Sequence, residues 1–353
     1  MTASRTMRAA VLYGRRDVRV ERVPRPQPGP GEVLLRNEAA LTCGTDAKVF
    51  RRGYHARMLV PPTLFGHEVS GVVEEVGAGI EDLTPGARVV VANSAPCGVC
   101  MSCLADRESL CEDLLFWNGA YAEYSSIPAR IVHRNLLRLP DHVRFPQAAL
   151  VEPLACVVRG IDATRIQEGQ TVGVIGVGPI GLMFVALSRL AGARVIAVGR
   201  NPGRLAKALT MGAERIIAIS GEDDIAERLR EATDGKGPDA VVEAAGTAET
   251  ADAAVRSVAR GGIVNLFAGC PGKTSVAVDV ARVHYEEITL TASFHHTPSA
   301  VRRALTLIAE GRIDPLELIT RTATLEDLPD VLATYAAGGE GLKALILPHG
   351  VAA

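Results

Sequence analysis

The chain has 353 residues, of which 48% are hydrophobic and 22% charged, and its formal net charge at pH 7 is −2. These values are typical of a globular protein large enough for two domains, and they give no electrostatic basis for binding nucleic acid or a membrane surface. No apolar run approaches the roughly 18 residues that span a bilayer, and no hydrophobic segment follows the basic N-terminus as in a secretory signal. We therefore expect a cytoplasmic protein.

The first 155 residues carry short β-type runs separated by proline and glycine. The runs are Ala9–Leu12, Glu32–Arg36, Val69–Val73 and Ala87–Val91, with a proline-rich connector at Pro24–Gly31. Short alternating runs between turn residues are typical of antiparallel strands and tight connections. This part of the sequence therefore predicts a small, irregular β domain.

From about Val151 the pattern changes to alternating strands and helices. The predicted strands are Thr171–Ile175, Arg194–Val198, Ala240–Glu243, Gly262–Leu266 and Thr289–Phe294, and the first two intervening helices are Pro179–Ala191 and Arg204–Met211. Continuous β-branched runs separated by helices predict a parallel sheet that is covered on both faces. The tail from about His295 predicts one helix, Ala300–Ala309, and a final strand, Lys343–Leu347.

Four of the seven cysteines form a cluster with the spacing C-x2-C-x2-C-x7-C. They are Cys97, Cys100, Cys103 and Cys111. So dense a set of thiolates predicts a tetrahedral structural zinc site in which every position is filled. Disulfides are the alternative, and a chain of this size without a secretion signal disfavours them. Cys156 and Cys270 have apolar neighbours in the sequence and are expected to be small buried hydrophobes.

The segment Gly176-Val177-Gly178-Pro179-Ile180-Gly181 follows a predicted strand and begins a predicted helix. This is the context in which G-x-G-x-x-G binds a dinucleotide. The first glycine permits the tight turn, the second allows a pyrophosphate to approach the backbone, and the third lets helix and strand pack closely. The helix N-terminus adds N–H groups and a positive dipole end. A βα turn without a ligand is the alternative that this context disfavours.

The end of the next strand bears on cofactor preference. An NAD site usually has Asp or Glu there, about twenty residues on, to bind the ribose 2′-hydroxyl. This chain instead has Gly199-Arg200-Asn201-Pro202-Gly203-Arg204. The guanidinium groups of Arg200 and Arg204 can pair with a 2′-phosphate. The sequence therefore favours NADP, and the alternative is an enzyme that also uses NAD, with both arginines merely solvated.

Four further residues predict a second metal site: Cys43, His67, Glu68 and Glu152. A catalytic zinc takes three protein ligands from Cys, His and carboxylate and keeps one position for the substrate, whose alkoxide it stabilises. Singly, each residue also has a structural explanation, such as a buried thiol, a core histidine or a carboxylate at a helix N-terminus. Together with the glycine turn, they predict metal-assisted hydride transfer.

The chain resembles the zinc-dependent medium-chain dehydrogenases, which include alcohol, sorbitol and threonine dehydrogenases. The resemblance covers essentially the whole chain, and the segments that carry it are Cys43–Asp46, Gly66–Gly71, the cysteine cluster, Val151–Ala155 and Gly176–Gly181. It implies an α/β architecture with a GroES-like irregular β-barrel catalytic domain over 1–155, whose structural zinc lobe covers 93–115. A Rossmann cofactor domain with a doubly wound parallel sheet then covers 156–292, and 293–353 returns to the catalytic domain.

The resemblance also implies residue roles. Cys43, His67 and Glu152 would bind a catalytic zinc, and Glu68 would approach the metal and exchange with water or with Glu152. With the cysteine cluster, this makes two zinc ions per chain. Thr45 would take the substrate hydroxyl proton, and Lys48 stands where relatives often have the outer histidine of the proton relay. The implied cofactor positions are Gly176, Gly178, Pro179, Ile180, Gly181, Gly199, Arg200, Arg204, Phe267, Ala268, Gly269, Ser293, Phe294 and His295.

The implied substrate is a secondary alcohol or polyol, because a glutamate at position 152 resembles the polyol and threonine branches. A threonine-type amino alcohol and a sugar phosphate are alternatives, since His295 stands where sorbitol-type enzymes carry an arginine. The substrate-pocket candidates are Tyr54, His55, Phe116, Trp117 and His295. Relatives imply a homodimer or homotetramer. A zinc-ribbon interaction module and a zinc-free quinone reductase are the other classes considered, and each leaves part of the pattern unexplained.

Overall fold

The computed structural model describes residues 6–55, 57–221, 223–339 and 341–350. The chain forms two compact units. One combines the stretch up to Ala155 with the stretch from Thr297 onward, and the other is Cys156–His296. The first unit is therefore built from two separate stretches of chain, whereas the second is continuous. Among the described residues, no helix has the length and apolar character needed to cross a membrane.

The N-terminal stretch of the first unit consists mainly of strands. They are β1 (Thr6–Gly14), β2 (Asp17–Pro24), β3 (Val33–Leu41), β4 (Thr63–Leu64), β5 (Glu68–Val76), β6 (Arg88–Val91), β7 (Ser94–Ala95), β8 (Leu115–Phe116), β9 (Tyr124–Ile127) and β10 (Leu136–Arg138). The helices are α1 (Gly44–Arg52), α2 (Met101–Leu104), α3 (Ala129–Asn135) and α4 (Phe145–Ala149), with a 3₁₀ turn at Glu108–Leu110. Helix α5 (Val151–Thr164) begins in this stretch and continues past Ala155 into the second unit. The segment Cys43–Asp46 is the capped beginning of α1.

The second unit alternates strands and helices. Its elements are β11 (Thr171–Ile175), α6 (Pro179–Leu190), β12 (Arg194–Gly199), α7 (Pro202–Thr210), β13 (Arg215–Ala218), α8 (Ile225–Glu231), β14 (Ala240–Glu243), α9 (Ala248–Ser257), β15 (Ile263–Leu266), α10 (Val280–Tyr285) and β16 (Thr289–Thr291). The strands pair in parallel in the order β13-β12-β11-β14-β15-β16. Every residue of β11 and β14 is buried, as expected for the centre of a covered parallel sheet. The strand order reverses between β11 and β14, which is the doubly wound topology.

The C-terminal stretch completes the first unit. It contains α11 (Pro298–Ala309), a 3₁₀ turn at Pro315–Leu318, β17 (Ile319–Thr324), α12 (Leu328–Ala336) and β18 (Lys343–Leu347). The sequence predicted only one helix and one strand here. Three of the six residues of β17 are exposed and only one is buried, so the strand lacks the apolar run by which a strand is recognised. Strand β18 lies between β3 and β17 in a seven-stranded sheet, with the order β10-β6-β5-β3-β18-β17 and β9 paired to β3.

The register of this sheet brings three strand ends together. Strand β3 is antiparallel to both β5 and β18, with Leu41 opposite Glu68 on one side and opposite Leu345 on the other. Because opposed strands run in reverse directions, the end of β3 lies beside the beginnings of β5 and β18. The residues just after Leu41 therefore meet Glu68 and Lys343, although these positions are far apart in the sequence.

Candidate functional site

The strand ends of the first unit carry a compact group of potential metal ligands. The donor atoms of Cys43, His67 and Glu68 all lie within 4.8 Å of one another. Cys43 directly precedes α1, and the other two residues lie at the start of β5. His67 and Glu68 are buried, with 4% and 0% of their surface exposed. The structure therefore brings together three of the four residues that the sequence predicted for a second metal site.

Asp46 connects this group to the beginning of α1. The Cys43 amide donates to Asp46 Oδ2 at 2.9 Å, and the Thr45 amide donates to Cys43 Sγ at 3.4 Å. The Tyr121 hydroxyl donates to the same Asp46 oxygen at 2.5 Å, while His67 Nδ1 lies 3.1 Å from Asp46 Oδ1. With Nδ1 held by the carboxylate, Nε2 is the nitrogen of His67 that can bind a metal.

The charges of the His67 and Asp46 side chains stabilise each other. Burial lowers the pKa of His67, but the Asp46 carboxylate and the Cys43 sulfur outweigh burial and raise that pKa well above its ordinary value. Burial raises the pKa of Asp46, but the imidazole of His67 and the Tyr121 hydroxyl outweigh burial and lower that pKa below its ordinary value. Asp46 is therefore a carboxylate that fixes the orientation of the imidazole.

Glu68 is held by a buried lysine. Lys343 Nζ donates to Glu68 Oε1 at 2.7 Å, to Glu68 Oε2 at 2.6 Å and to the Thr42 carbonyl at 2.9 Å, so each of its three N–H groups has an acceptor. Burial raises the pKa of Glu68 above its ordinary value, although the Lys343 charge opposes this effect. Burial lowers the pKa of Lys343, but the Glu68 carboxylate outweighs burial and raises that pKa above its ordinary value. The contact of one ammonium with both oxygens identifies an ion pair. In this arrangement Lys343 occupies the oxygens that Glu68 would offer to a metal.

Glu152 lies in the first turn of α5 and is 5% exposed. Burial raises its pKa to about 7, with a lowering contribution from His67 and a raising one from Glu68. Glu152 thus belongs to the electrostatic neighbourhood of the three-residue group. Three carboxyl groups are thus buried here, of which Glu68 is paired with Lys343 and Asp46 with His67, while Glu152 is the third. Buried charges are paired or coordinate metals, and this excess of acidic groups suits a divalent cation.

The four clustered cysteines surround a common point. Their sulfurs all lie within 4.8 Å of one another, and the closest Sγ–Sγ distances are 3.5 Å for Cys100–Cys103 and 3.9 Å for both Cys97–Cys103 and Cys100–Cys111. Sulfurs on a tetrahedral zinc with Zn–S bonds of about 2.3 Å are about 3.8 Å apart. Backbone amides of Glu112 and Cys103 lower the pKa of Cys100 to about 6 and so favour its thiolate. The cluster fits a structural zinc site.

None of the seven cysteines, all of which lie in the described part of the chain, forms a disulfide. The expectation that Cys156 and Cys270 are both small buried hydrophobes is wrong, since Cys156 is only partly buried and Cys270 is exposed. Cys270 follows β15 and precedes Pro271 and Gly272, so it lies in a loop beyond the strand whose apolar residues suggested burial.

The glycine turn of the second unit joins β11 to α6. Gly176 has φ 107°, and a side chain there would lie 3.0 Å from the backbone of Ala244 and Ala245. A Cβ at Gly181 would lie 1.8 Å from the Gly176 carbonyl oxygen, so helix and turn pack too closely for one. At Gly178, which caps α6, no described atom lies within 4 Å of such a Cβ. The backbone here leaves room for a phosphate. Pro179 and Ile180 begin α6.

The other predicted cofactor residues also lie at the carboxyl ends of the parallel strands or shortly after them. Gly199 ends β12, Arg200 is exposed, and Asn201 caps α7 by accepting from the Arg204 amide at 2.9 Å. The Phe267 and Ala268 amides donate to the Glu243 carbonyl at 3.1 and 3.0 Å, and Gly269 follows them. Ser293 is buried against Asn265, Phe294 is partly exposed, and His295 has φ 62°.

The remaining predicted positions all lie in the first unit. Thr45 and Lys48 are partly exposed residues of α1. His55 Nδ1 accepts from the Met58 amide at 3.1 Å, and Tyr54 is 57% exposed. Phe116 belongs to the short strand β8. Trp117 is buried, and its indole N–H donates to the Ser126 carbonyl at 3.0 Å.

Two residues that contact the group of Cys43, His67 and Glu68 were not predicted from the sequence. Asp46 stands three residues after Cys43, the spacing of a capping box, and this signal was available in the sequence. Lys343 begins an otherwise apolar strand, and a charged residue at such a position needs a buried partner. The sequence contained no local signal that this partner is Glu68.

Comparison with known proteins gives matches to two family models. Residues 29–141 match the alcohol dehydrogenase GroES-like domain, and residues 179–310 match the zinc-binding dehydrogenase model. Among curated proteins, sorbitol dehydrogenase of Bacillus subtilis (strain 168) is 30% identical over 356 residues, covering 99% of both chains. D-xylulose reductase A of Aspergillus oryzae (strain ATCC 42149 / RIB 40) is 30% identical over 347 residues, covering 95% of both.

A solved structure is similar throughout its length. A protein of Sinorhizobium meliloti 1021, described as a zinc-binding dehydrogenase bound to NADP, shares 33% identity and superposes with a TM-score of 0.89 over 98% of this chain and 100% of its own. Because these similarities span both units, they exclude a zinc-ribbon module as an explanation of the cysteine cluster. The chain belongs to the zinc-dependent medium-chain alcohol dehydrogenase family, in its sorbitol-type branch, and is an oxidoreductase.

Proposed function

We propose that this enzyme oxidises a secondary hydroxyl group of a polyol, with NADP⁺ as the preferred hydride acceptor, and reduces the corresponding ketone in the reverse direction. The observation that carries the proposal is the compact group of Cys43, His67 and Glu68, of which His67 and Glu68 are buried, set among further acidic side chains. The polyol relatives named above support the substrate class, and the bound NADP of the Sinorhizobium protein supports the cofactor. A threonine-type amino alcohol and a sugar phosphate are the alternative substrates.

The residues present fit two zinc ions per chain. Cys97, Cys100, Cys103 and Cys111 would hold the structural ion. Cys43, His67 and Glu152 would hold the catalytic ion, and Glu68 would exchange with water or with Glu152. A catalytic zinc, when bound, acts as a Lewis acid that lowers the pKa of a substrate hydroxyl and stabilises the alkoxide.

The chain's own residues prepare this chemistry. Asp46 orients the imidazole of His67 through Nδ1. Lys343 holds Glu68 through both carboxylate oxygens. The Thr45 amide donates to Cys43 Sγ at 3.4 Å and so helps to fix the sulfur at the beginning of α1. We assign to the Thr45 hydroxyl the acceptance of the substrate proton, and to Lys48, one turn further along α1, the outer end of the proton path.

The substrate assignment is tested by initial-rate measurements over polyols, simple secondary alcohols, threonine and sugar phosphates, each with NADP⁺ and with NAD⁺. We expect kcat/KM for the best polyol to exceed that for threonine by about 100-fold, because a site built to hydrogen-bond hydroxyl groups discriminates strongly against a substrate that leaves its polar groups unpaired. Faster turnover of threonine or of a sugar phosphate would contradict the polyol proposal.

The cofactor preference depends on Arg200 and Arg204 beyond β12. We expect the double variant Arg200→Ala/Arg204→Ala to lower kcat/KM for NADP⁺ by roughly 10- to 100-fold, since it removes charge-assisted bonds to the 2′-phosphate. NAD⁺ lacks this phosphate and serves as the internal control, so its kcat/KM should change by less than about threefold. A wild-type enzyme that prefers NAD⁺ would rule out the assignment of the two arginines.

We further propose that the enzyme is a cytoplasmic homodimer or homotetramer. The seven free thiols support a reducing compartment. The cysteine lobe presents Val99, Met101, Leu104 and Leu110, which are 77%, 75%, 69% and 51% exposed. Exposed apolar side chains grouped in this way are typical of protein interfaces. The lobe is therefore our candidate for a contact between subunits.

A further inference from the structure

Glu243 connects two loops of the second unit. It is the last residue of β14 and is 1% exposed. Its Oε1 accepts hydrogen bonds from the Ala245 amide at 2.8 Å, the Gly246 amide at 2.7 Å and the Thr250 hydroxyl at 2.8 Å. Its backbone carbonyl accepts from the amides of Phe267 and Ala268 on the neighbouring strand's loop. One residue thus organises the backbone after β14 and the backbone after β15.

These loops are in direct backbone contact. Gly246 has φ 82°, and a Cβ there would lie 3.0 Å from the Gly269 carbonyl oxygen and 3.3 Å from the Ala268 side chain. On the other side, a Cβ on Gly176 would lie 3.0 Å from the backbone of Ala244 and Ala245. The segment 244–246 therefore separates the glycine turn from the segment 267–269 and sets the spacing between them.

The sheet topology indicates which half of the dinucleotide cofactor this region faces. In a doubly wound sheet, one mononucleotide-binding half lies on each side of the point where the strand order reverses. Here β11, β12 and β13 form one half, which carries the glycine turn and the two arginines of the proposed 2′-phosphate site. Strands β14, β15 and β16 form the other half, which therefore faces the nicotinamide mononucleotide. The loops that Glu243 organises belong to this second half.

We propose that Glu243 is a positioning residue for the nicotinamide half of the cofactor. The inference rests on the proposed use of a nicotinamide cofactor. Glu243 acts through the backbone of 244–246 and 267–269, which it holds at a defined distance from the glycine turn. A carboxyl oxygen suits this role, because it can accept several hydrogen bonds at once.

The side-chain geometry predicts which substitutions matter. Oε1 receives all three hydrogen bonds that the structure records for the carboxylate, whereas Oε2 is buried and has no hydrogen-bond partner among the described residues. Glu243→Gln keeps an oxygen for the three donors and replaces Oε2 by an NH₂ group, so it preserves the connection. Glu243→Ala removes the connection altogether. Glu249→Gln makes the same carboxylate-to-amide change at an exposed position of α9 and is the matched control.

Equilibrium binding to the zinc-loaded enzyme tests the proposal. Dissociation constants are measured for NADPH, by its fluorescence, and for 2′,5′-ADP, which contains only the adenosine half, with NADH and 5′-AMP as a second pair. Loss of the three hydrogen bonds in Glu243→Ala is expected to weaken NADPH binding by at least about 10-fold and 2′,5′-ADP binding by less than about twofold. Glu243→Gln and Glu249→Gln are expected to stay within about threefold of wild type for both ligands.

The comparison of NADPH with its fragment 2′,5′-ADP distinguishes a positioning role of Glu243 from general damage to the fold. Unchanged NADPH affinity in Glu243→Ala would overturn the proposal, and so would an equal loss for NADPH and 2′,5′-ADP. Thr250→Val removes one of the three donors and is measured as well, so that misfolding of the alanine variant leaves a test. We expect it to weaken NADPH binding by about fivefold, which exceeds the limit set for the control variants, and 2′,5′-ADP binding by less than about twofold. Wild-type affinity for NADPH, or an equal loss of affinity for NADPH and 2′,5′-ADP, would again contradict the proposal. A wild type that binds none of the four ligands would refute the proposed cofactor use itself.

Discussion

Replacing His67 with alanine is expected to lower kcat by at least about 1000-fold, while the dissociation constant for the nicotinamide cofactor changes by less than about threefold. His67 is buried between Asp46 and the Cys43 sulfur in the first unit, whereas the glycine turn is in the second. Loss of the imidazole would remove a proposed zinc ligand and leave the dinucleotide site unaltered. Steady-state kinetics and cofactor fluorescence measure the two effects separately.

Cys43→Ser gives the same test with a smaller structural change. Its hydroxyl can still accept from the Thr45 amide, but it lacks the soft thiolate that zinc prefers. For both variants we expect the zinc content to fall from about two ions per chain to about one, because the four-cysteine lobe keeps its own ion. His133→Ala, at an exposed position of α3, is the control and should keep wild-type activity and zinc content. Near-wild-type kcat in Cys43→Ser or His67→Ala would refute the site assignment.

Lys343→Met is expected to lower the free energy of unfolding by roughly 3–5 kcal/mol, since it leaves the buried Glu68 carboxylate without its counter-charge. Both side chains are almost completely buried, and the lysine supplies a hydrogen bond to each carboxylate oxygen. Urea denaturation followed by circular dichroism measures the loss in the first unit. Lys236→Met, at an exposed position, is the control and should change the free energy by no more than about 0.5 kcal/mol.

A second substitution shows whether the loss of stability in Lys343→Met comes from the unpaired Glu68 carboxylate. In Lys343→Met/Glu68→Gln neither charge remains, so the double variant should be more stable than Lys343→Met alone. The double-mutant cycle with Glu68→Gln then gives an interaction free energy of about 2–3 kcal/mol. If the effects of the two substitutions simply add, Lys343 and Glu68 do not stabilise each other and the ion pair has no role in holding Glu68.

The parts of the fold that the sequence predicted well are those with a local signature. The buried strand Thr171–Ile175 and the glycines after it appear as β11 and the turn into α6, because a run of β-branched residues and a G-x-G-x-x-G pattern are each complete within a few residues. The cysteine cluster is equally local, with four sulfurs from one short segment. In each case the sequence separation is small, so the chain has few other ways to arrange the residues.

The parts that escaped prediction depend on contacts between distant residues. Lys343 and Glu68 are 275 positions apart, and the pairing of β3 with both β5 and β18 brings them together. Glu243 was recognised as the end of a strand, but its role depends on loops that follow two different strands. Cys270 was misjudged because apolar neighbours in the sequence do not determine whether a residue just beyond a strand is covered. Secondary-structure patterns contain no information on such contacts.

The interrupted first unit has a consequence for the order of folding during synthesis. Domains generally fold as units as they emerge from the ribosome. The continuous stretch 156–296 is complete before synthesis of the remainder, whereas β3 and β5 must wait for β18 from the last dozen residues. Until β18 is synthesised, the Glu68 carboxylate lacks the Lys343 ammonium, which is the buried lysine charge among the acidic side chains near Cys43 and His67. In this order of folding, the nucleotide-binding sheet of the second unit is complete before the metal centre of the first unit.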